Sequence, residues 1–91
     1  MEYAIHYTDE AVQGLIKLQQ SEPKAYAKAD KLIQELMQHP TTGTGHPERL
    51  KGKPEGRWSR RINEKHRLIY RIFEDTVIVL VLSAYGHYGD K

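Results

Sequence analysis

The chain has 91 residues, 38% of them hydrophobic and 29% charged, which suits one small globular domain spanning 1–91 and leaves too little for a second core. Cysteine is absent, excluding disulfides, thiolate metal sites and thiol catalysis; the longest apolar run, the six residues 77–82, falls far short of the ~20 needed to cross a bilayer. The net charge of +2 hides a segregation: positions 46–71 hold nine Lys or Arg against three Glu, a local +6, while the remainder sums to −4.

Such a basic segment is an electrostatic footprint for a polyanion, although ordinary solvated strands also carry Lys and Arg. The first residues, MEYAIHYTDE, lack the basic start and apolar core of a signal peptide, so a cytosolic protein is expected. Within them Tyr3, Ile5 and Tyr7 alternate with polar or small residues, which predicts a short strand over 2–7. Thr8 then reads as a helix N-cap, with Asp9 and Glu10 in the first turn where the helix dipole favours acids. Ala11, Leu15 and Leu18, flanked by Val12 and Ile16, have the spacing of one buried helical face that ends near Gln20. Ser21 with Pro23 marks a second helix start. Ala25, Ala29, Leu32, Ile33, Leu36 and Met37 recur at intervals of three and four through the longest periodic segment.

His39-Pro40 stops that helix, and 41–47 has the Gly, Thr and Pro content of an irregular loop. Strands are predicted next over 48–51, 57–63, 66–73 and 77–85, with Asn63-Glu64-Lys65 and Glu74-Asp75 as short connections. The order implies an α+β fold, β-α-α-β-β-β, with two N-terminal helices packed on one face of an antiparallel sheet. The unbroken apolar run 77–82 suggests a strand buried on both faces near the middle of that sheet.

Strand alternation separates packing residues from those free to act. Arg61 cannot share a face with Ile62, and Arg67 and Ile69 lie opposite Leu68 and Tyr70. One face can therefore carry cations while the helices cover the other. His6, His39, His46 and His66 lack the spacing of metal ligands, so no metal or other cofactor is expected. His66 and Trp58 read as packing residues, and the loop 41–45 lacks the Lys-Ser/Thr ending of a phosphate-binding loop.

The motifs Gly45-His46-Pro47-Glu48-Arg49-Leu50-Lys51, Gly56-Arg57-Trp58-Ser59-Arg60-Arg61-Ile62 and Glu64-Lys65-His66-Arg67-Leu68-Ile69-Tyr70 are followed near the end by His87-Tyr88. In order and spacing this linked set resembles the YoeB/Txe group of ribosome-dependent messenger-RNA endonuclease toxins, within the RelE/ParE superfamily. The resemblance implies a RelE-like fold and metal-independent cleavage by 2′-hydroxyl attack, leaving a 2′,3′-cyclic phosphate and a 5′-hydroxyl. Such chemistry needs a base, an acid for the leaving oxygen and cations around the phosphate. By resemblance Glu48 is the general base, Arg67 stabilises the phosphate, and His87 and Tyr88 assist proton transfer and hold the substrate. Lys51, Arg60 and Arg61 match basic positions expected to bind substrate.

Read from the residues alone, Glu48 serves either as a base or as a group that orients the hydroxyl or an arginine, because surrounding cations depress a carboxyl pKa. Tyr88 either stacks on a base or packs at the sheet edge. The chain departs from the family pattern in two places. Gly89-Asp90-Lys91 follow the His-Tyr pair, with Asp90 either pairing with His87 or swinging clear, and Ala84-Tyr85 replaces a frequent Cys-Arg, leaving Arg67 or Arg61 to compensate. The partners implied are a YefM-like antitoxin with a partly disordered acidic segment, the ribosomal decoding site with its messenger RNA, and a second copy in a homodimer, since homodimers occur among relatives. The rival expectations are a ParE-like gyrase-binding toxin without catalysis and a general RNA-binding module, for which exposed aromatics along the sheet are sparse.

Overall fold

The computed structural model describes residues 2–52 and 56–86. Strand β1 (Ala4–Tyr7) leads into α1 (Asp9–Ser21) and α2 (Pro23–Leu36), followed by β2 (Glu48–Arg49), β3 (Arg57–Arg61), β4 (Arg67–Phe73) and β5 (Ile78–Ser83). Helix α1 begins where the sequence places it. The Thr8 hydroxyl accepts from the Ala11 N–H at 3.0 Å and donates to the Leu82 carbonyl at 2.8 Å, so one side chain caps the helix, worth about 1 kcal/mol, and ties it to β5.

The second helix starts one residue later than Ser21 suggests. Ser21 is the last residue of α1 and its hydroxyl donates back to the Lys17 carbonyl at 2.7 Å. Glu22, at φ −141°, closes α1 and opens α2, and Pro23 takes the first helical turn, where a missing N–H costs nothing. The α2 stripe of Ala25, Ala29, Leu32, Ile33 and Leu36 is buried as its period requires. Along α1 the buried residues are Ala11, Gly14 and Leu18. Val12 and Ile16 keep 41% and 40% of their surface exposed, because residues one position away on a helix turn about 100° off the packed face.

The described strands form one five-stranded sheet in the order β1-β5-β4-β3-β2. Strands β2 to β5 are antiparallel to their neighbours, whereas β1 pairs in parallel with β5, Ala4 opposite Ile78 through Tyr7 opposite Val81. The sheet is thus mixed rather than purely antiparallel: alternation identifies β1 as a strand but carries no information on its partner.

Leu68, Tyr70, Val79 and Val81 meet Leu18, Leu32 and Leu36 in one core between the helices and one face of the sheet. Strand β5 lies inside the sheet as its apolar run suggests, but only alternate residues, Val79, Val81 and Ser83, are fully buried. Helices cover one face alone, so Ile78, Leu80 and Leu82 stay partly exposed. No helix among the described residues is long and apolar enough to cross a membrane.

Candidate functional site on the helix-free face

The pleat of β3 and β4 decides which cations are available. Trp58, Leu68 and Tyr70 point to the core, so Arg57, Ser59 and Arg61, with Arg67, Ile69 and Arg71, take the other face. Register then places Arg61 directly opposite Arg67 and Arg57 directly opposite Arg71, with Ser59 opposite Ile69 between them. Like charges opposed across a ladder destabilise a sheet by a few tenths of a kcal/mol to about 1 kcal/mol. The two pairs differ in access: Arg57 is buried at 9% exposure, whereas Arg61 is exposed and Arg67 half-buried, so the Arg61–Arg67 pair is the one an anion can reach.

Glu48 stands at the head of that neutral row. It lies opposite Ser59 in β2 and shares the face of the arginines, and it is exposed. The loop before it is shaped to deliver it there. Gly45 at φ 85° and His46 at φ 55° are consecutive left-handed residues, and the Gly45 carbonyl accepts from the Arg61 N–H at 2.7 Å. A Cβ at Gly45 would lie 3.0 Å from the Arg61 carbonyl oxygen, so this close approach requires glycine. After β2, the Leu50 N–H donates to the Arg57 carbonyl at 2.9 Å, and Lys51 follows, exposed. Two strand spacings and one two-residue step put the Cα atoms of Glu48 and Arg67 roughly 12 Å apart, which side chains of their length span to reach a shared phosphodiester.

Arg67 is anchored at the hairpin between β3 and β4. Asn63 Oδ1 accepts from the N–H groups of Lys65 and His66 at 2.8 and 2.9 Å, building the turn, and the Asn63 carbonyl accepts from Arg67 Nη1 at 3.1 Å. The residue is half-buried, and Nη1 also lies 3.5 Å from the His66 carbonyl. The Arg67 N–H also donates to the Gly86 carbonyl at 3.0 Å. Gly86 is the residue before His87, so the chain reaches His87 from a point fixed beside Arg67. His87 and Tyr88 themselves lie outside the described residues, as do Gly89, Asp90 and Lys91.

Arg60 corrects the expectation that it contacts substrate. Its side chain points into the core face and is 0% exposed. Nε donates to the Tyr70 hydroxyl at 3.2 Å, Nη1 to Glu35 Oε1 at 2.8 Å and to the Thr44 carbonyl at 3.3 Å, and Nη2 to the carbonyls of Thr42 and His39, the first at 2.6 Å. A buried guanidinium must have its donors satisfied, and this one does so by pinning the loop that precedes Glu48. The signal was in the sequence: Arg60 shares strand parity with Trp58 and Ile62, both packing residues.

Glu35, held by the Thr44 hydroxyl at 2.7 Å and N–H at 2.9 Å and then by Arg60, has its pKa lowered, with the Thr44 bonds the largest cause. Its folded value lies below its unfolded one, so its contribution to stability is complete above the ordinary carboxylate range and is lost as pH falls through the folded value. Urea midpoints measured from pH 7 to pH 3 should therefore fall at the acid end, and fall less in Glu35→Gln than in the parent.

Among the described residues no group of three or more His, Asp or Glu is placed to hold a metal ion. What the face offers is an exposed carboxylate and paired arginines around a neutral row. Over residues 7–88 the chain matches the model of a family described as YoeB-like toxin of bacterial type II toxin-antitoxin system. The chain belongs to the YoeB toxin family.

Among YoeB relatives, Toxin YoeB of Streptomyces coelicolor is 33% identical over 84 residues, covering 92% of this chain and 98% of that protein. Toxin YoeB of Escherichia coli K12 is 33% identical over 73 residues, 80% of this chain and 87% of that one. A YoeB/ParE toxin from Agrobacterium tumefaciens superposes with a TM-score of 0.87 at 30% identity, covering 93% of this chain and 99% of that one. The YoeB dimer from Staphylococcus aureus gives 0.83 at 29% identity over 97% and 100% of the two chains, and YoeB in its heterotetrameric YoeB-YefM complex from the same organism gives 0.80 at the same identity and coverage. The α+β architecture of two helices on one face of a sheet is therefore that of the YoeB and RelE toxins.

Proposed function

We propose that this YoeB-family toxin is a ribosome-dependent messenger-RNA endonuclease that works without a metal. The observation that carries the reading is the common face of Glu48, Arg61 and Arg67, with Gly86 fixed beside Arg67. In the reaction the Glu48 carboxylate takes the proton of a 2′-hydroxyl, and the 2′-oxygen attacks the adjacent phosphorus. The P–O5′ bond breaks, and the leaving 5′-oxygen takes a proton from His87. Arg67 and Arg61 hold the crowded phosphate as its charge redistributes, Lys51 extends the cationic edge towards the strand, and Tyr88 holds the substrate. The products are a 2′,3′-cyclic phosphate and a 5′-hydroxyl, and water returns the protons between Glu48 and His87. DNA, having no 2′-hydroxyl, survives.

An open sheet face cannot by itself align an RNA for in-line attack. The ribosomal decoding site supplies that alignment by holding the messenger splayed, an entropic advantage that reaches about 10⁵ M or more in effective molarity for well-oriented groups. The YoeB-YefM assemblies from Staphylococcus aureus support a YefM-like antitoxin as partner; in this reading its acidic segment covers the basic face and folds on binding. The dimer from the same organism supports a second copy as a further partner. The reading places the toxin in the cytoplasm, where its ribosomes are, as one domain over 1–91.

The test incubates purified protein with programmed ribosomes and with free messenger RNA and maps the ends. Cleavage with ribosomes alone, leaving a 2′,3′-cyclic phosphate, is the expected result. Equal cleavage of free RNA overturns ribosome dependence. Gyrase inhibition without RNA cleavage replaces the endonuclease by a ParE-like binder.

A further inference from the structure

We propose that His66 is a positioning residue: held as the Nε2–H tautomer by Glu22, it fixes Gly86 beside Arg67 and so sets the point from which the chain delivers His87. Its catalytic consequence rests on the endonuclease reading above, whereas its geometry does not.

His66 is 3% exposed and both ring nitrogens are engaged. Nε2 lies 2.8 Å from Glu22 Oε2, and Nδ1 accepts from the Gly86 N–H at 2.8 Å. A carboxylate accepts and a backbone N–H donates, so a proton on Nε2 and a lone pair on Nδ1 satisfy both contacts at once. Glu22 opens α2 yet makes no side-chain capping bond there. Its carboxylate turns instead to His66, with Lys65 Nζ 3.5 Å from the same oxygen. The Tyr85 ring packs against the imidazole at 4.5 Å between centroids, and Lys17 Nζ lies 5.2 Å from the centre of that ring. Among the described residues, Glu22 from the helix junction, Lys65 from the hairpin, Tyr85 with Lys17 behind it, and Arg67, whose Nη1 lies 3.5 Å from the His66 carbonyl, are the ionisable groups around His66.

Residues 66 and 67 together grip both peptide groups of Gly86. His66 Nδ1 takes its N–H, and the Arg67 N–H donates to its carbonyl, which belongs to the planar peptide leading into His87. Gly86 adopts φ +93°, a conformation that glycine enters without strain. The α1–α2 junction therefore reaches the proposed site through one imidazole, and the same contacts hold Gly86 against Arg67.

The test compares the parent toxin with His66→Gln and His66→Asn. Asparagine places an acceptor near the Nδ1 position, whereas glutamine places its amide near Nε2 and leaves Gly86 unheld. In the parent, nitrogen NMR should show Nδ1 unprotonated and Nε2 protonated at neutral pH, with a slowly exchanging Gly86 amide. His66→Gln should lose the Gly86 protection and slow single-turnover cleavage on programmed ribosomes by about 10–100-fold, with ribosome affinity unchanged, and His66→Asn should recover most of both. A protonated Nδ1 or a fast-exchanging Gly86 amide in the parent overturns the proposal, as does equal cleavage by the two variants. Should both variants unfold, the parent's tautomer and Gly86 exchange decide. A parent that never cleaves sinks the endonuclease reading, while the NMR readouts still decide whether His66 holds Gly86.

Discussion

Arg67→Ala should cleave messenger RNA on programmed ribosomes about 10²–10³-fold more slowly than the parent, with a nearly unchanged urea midpoint. The two readouts part because of where the residue sits. It lies opposite Arg61 in the β3–β4 register, and its Nη1 donates to the Asn63 carbonyl at 3.1 Å and more weakly to the His66 carbonyl at 3.5 Å, so truncation removes a like-charge opposition along with those bonds. Arg67→Lys keeps the charge but not the planar fork, and should recover only part of the rate. Glu48→Gln should lose about 10²–10⁴-fold if it is the base. The Glu48→Gln, Arg67→Ala double variant should fall short of the product of the single losses, since groups that serve one transition state are not independent. Full cleavage by either single variant removes that residue from the reaction.

Arg60→Met should lower unfolding free energy by about 3 kcal/mol, because it removes a fully buried guanidinium that pairs with Glu35 and holds three loop carbonyls, leaving Glu35 with its Thr44 bonds alone. For a domain of this size that corresponds to a fall in melting temperature of roughly 12 °C or more. Adding Glu35→Leu should recover only part of the loss. The carboxylate is one acceptor among several, and the carbonyls of His39, Thr42 and Thr44 remain without a donor. Cleavage should fall as well, since this loop aims Glu48 through the Gly45 carbonyl on the Arg61 N–H. Urea unfolding at pH 7 and the ribosome assay check the two effects. A double variant as stable as the parent would mean that the ion pair alone matters.

Much of this architecture is legible from local pattern. The Thr8 cap, the α2 stripe and the alternation that parts Arg61 from Ile62 are short-range regularities, and each appears where the residues place it. Long-range pairing is not local. The parallel seating of β1 on β5 joins residues some seventy apart, and the contact of Glu22 with His66 spans 44 positions, so a histidine read as packing proves to bridge a helix junction and the last turn before His87. Arg60 differs for another reason: a matched basic position does not say which face of its strand it takes, whereas strand parity with Trp58 and Ile62 points inward. Val12 and Ile16 erred in the opposite sense, as apolar residues beside the buried stripe that found nothing to cover them.

The neighbouring arginines of β3 have a consequence for how faithfully the chain must fold. A slip of one residue between β3 and β4 would turn every side chain of the strand over. Arg61 would then be driven into the helix-covered layer with no waiting acceptors, and Arg60 would be expelled from its cage of carbonyls. The mispaired hairpin is therefore heavily penalised at the same two residues that would be interchanged on the outer surface. A toxin whose charges can be arranged wrongly only at the expense of its interior carries a built-in proofreading of its own working surface.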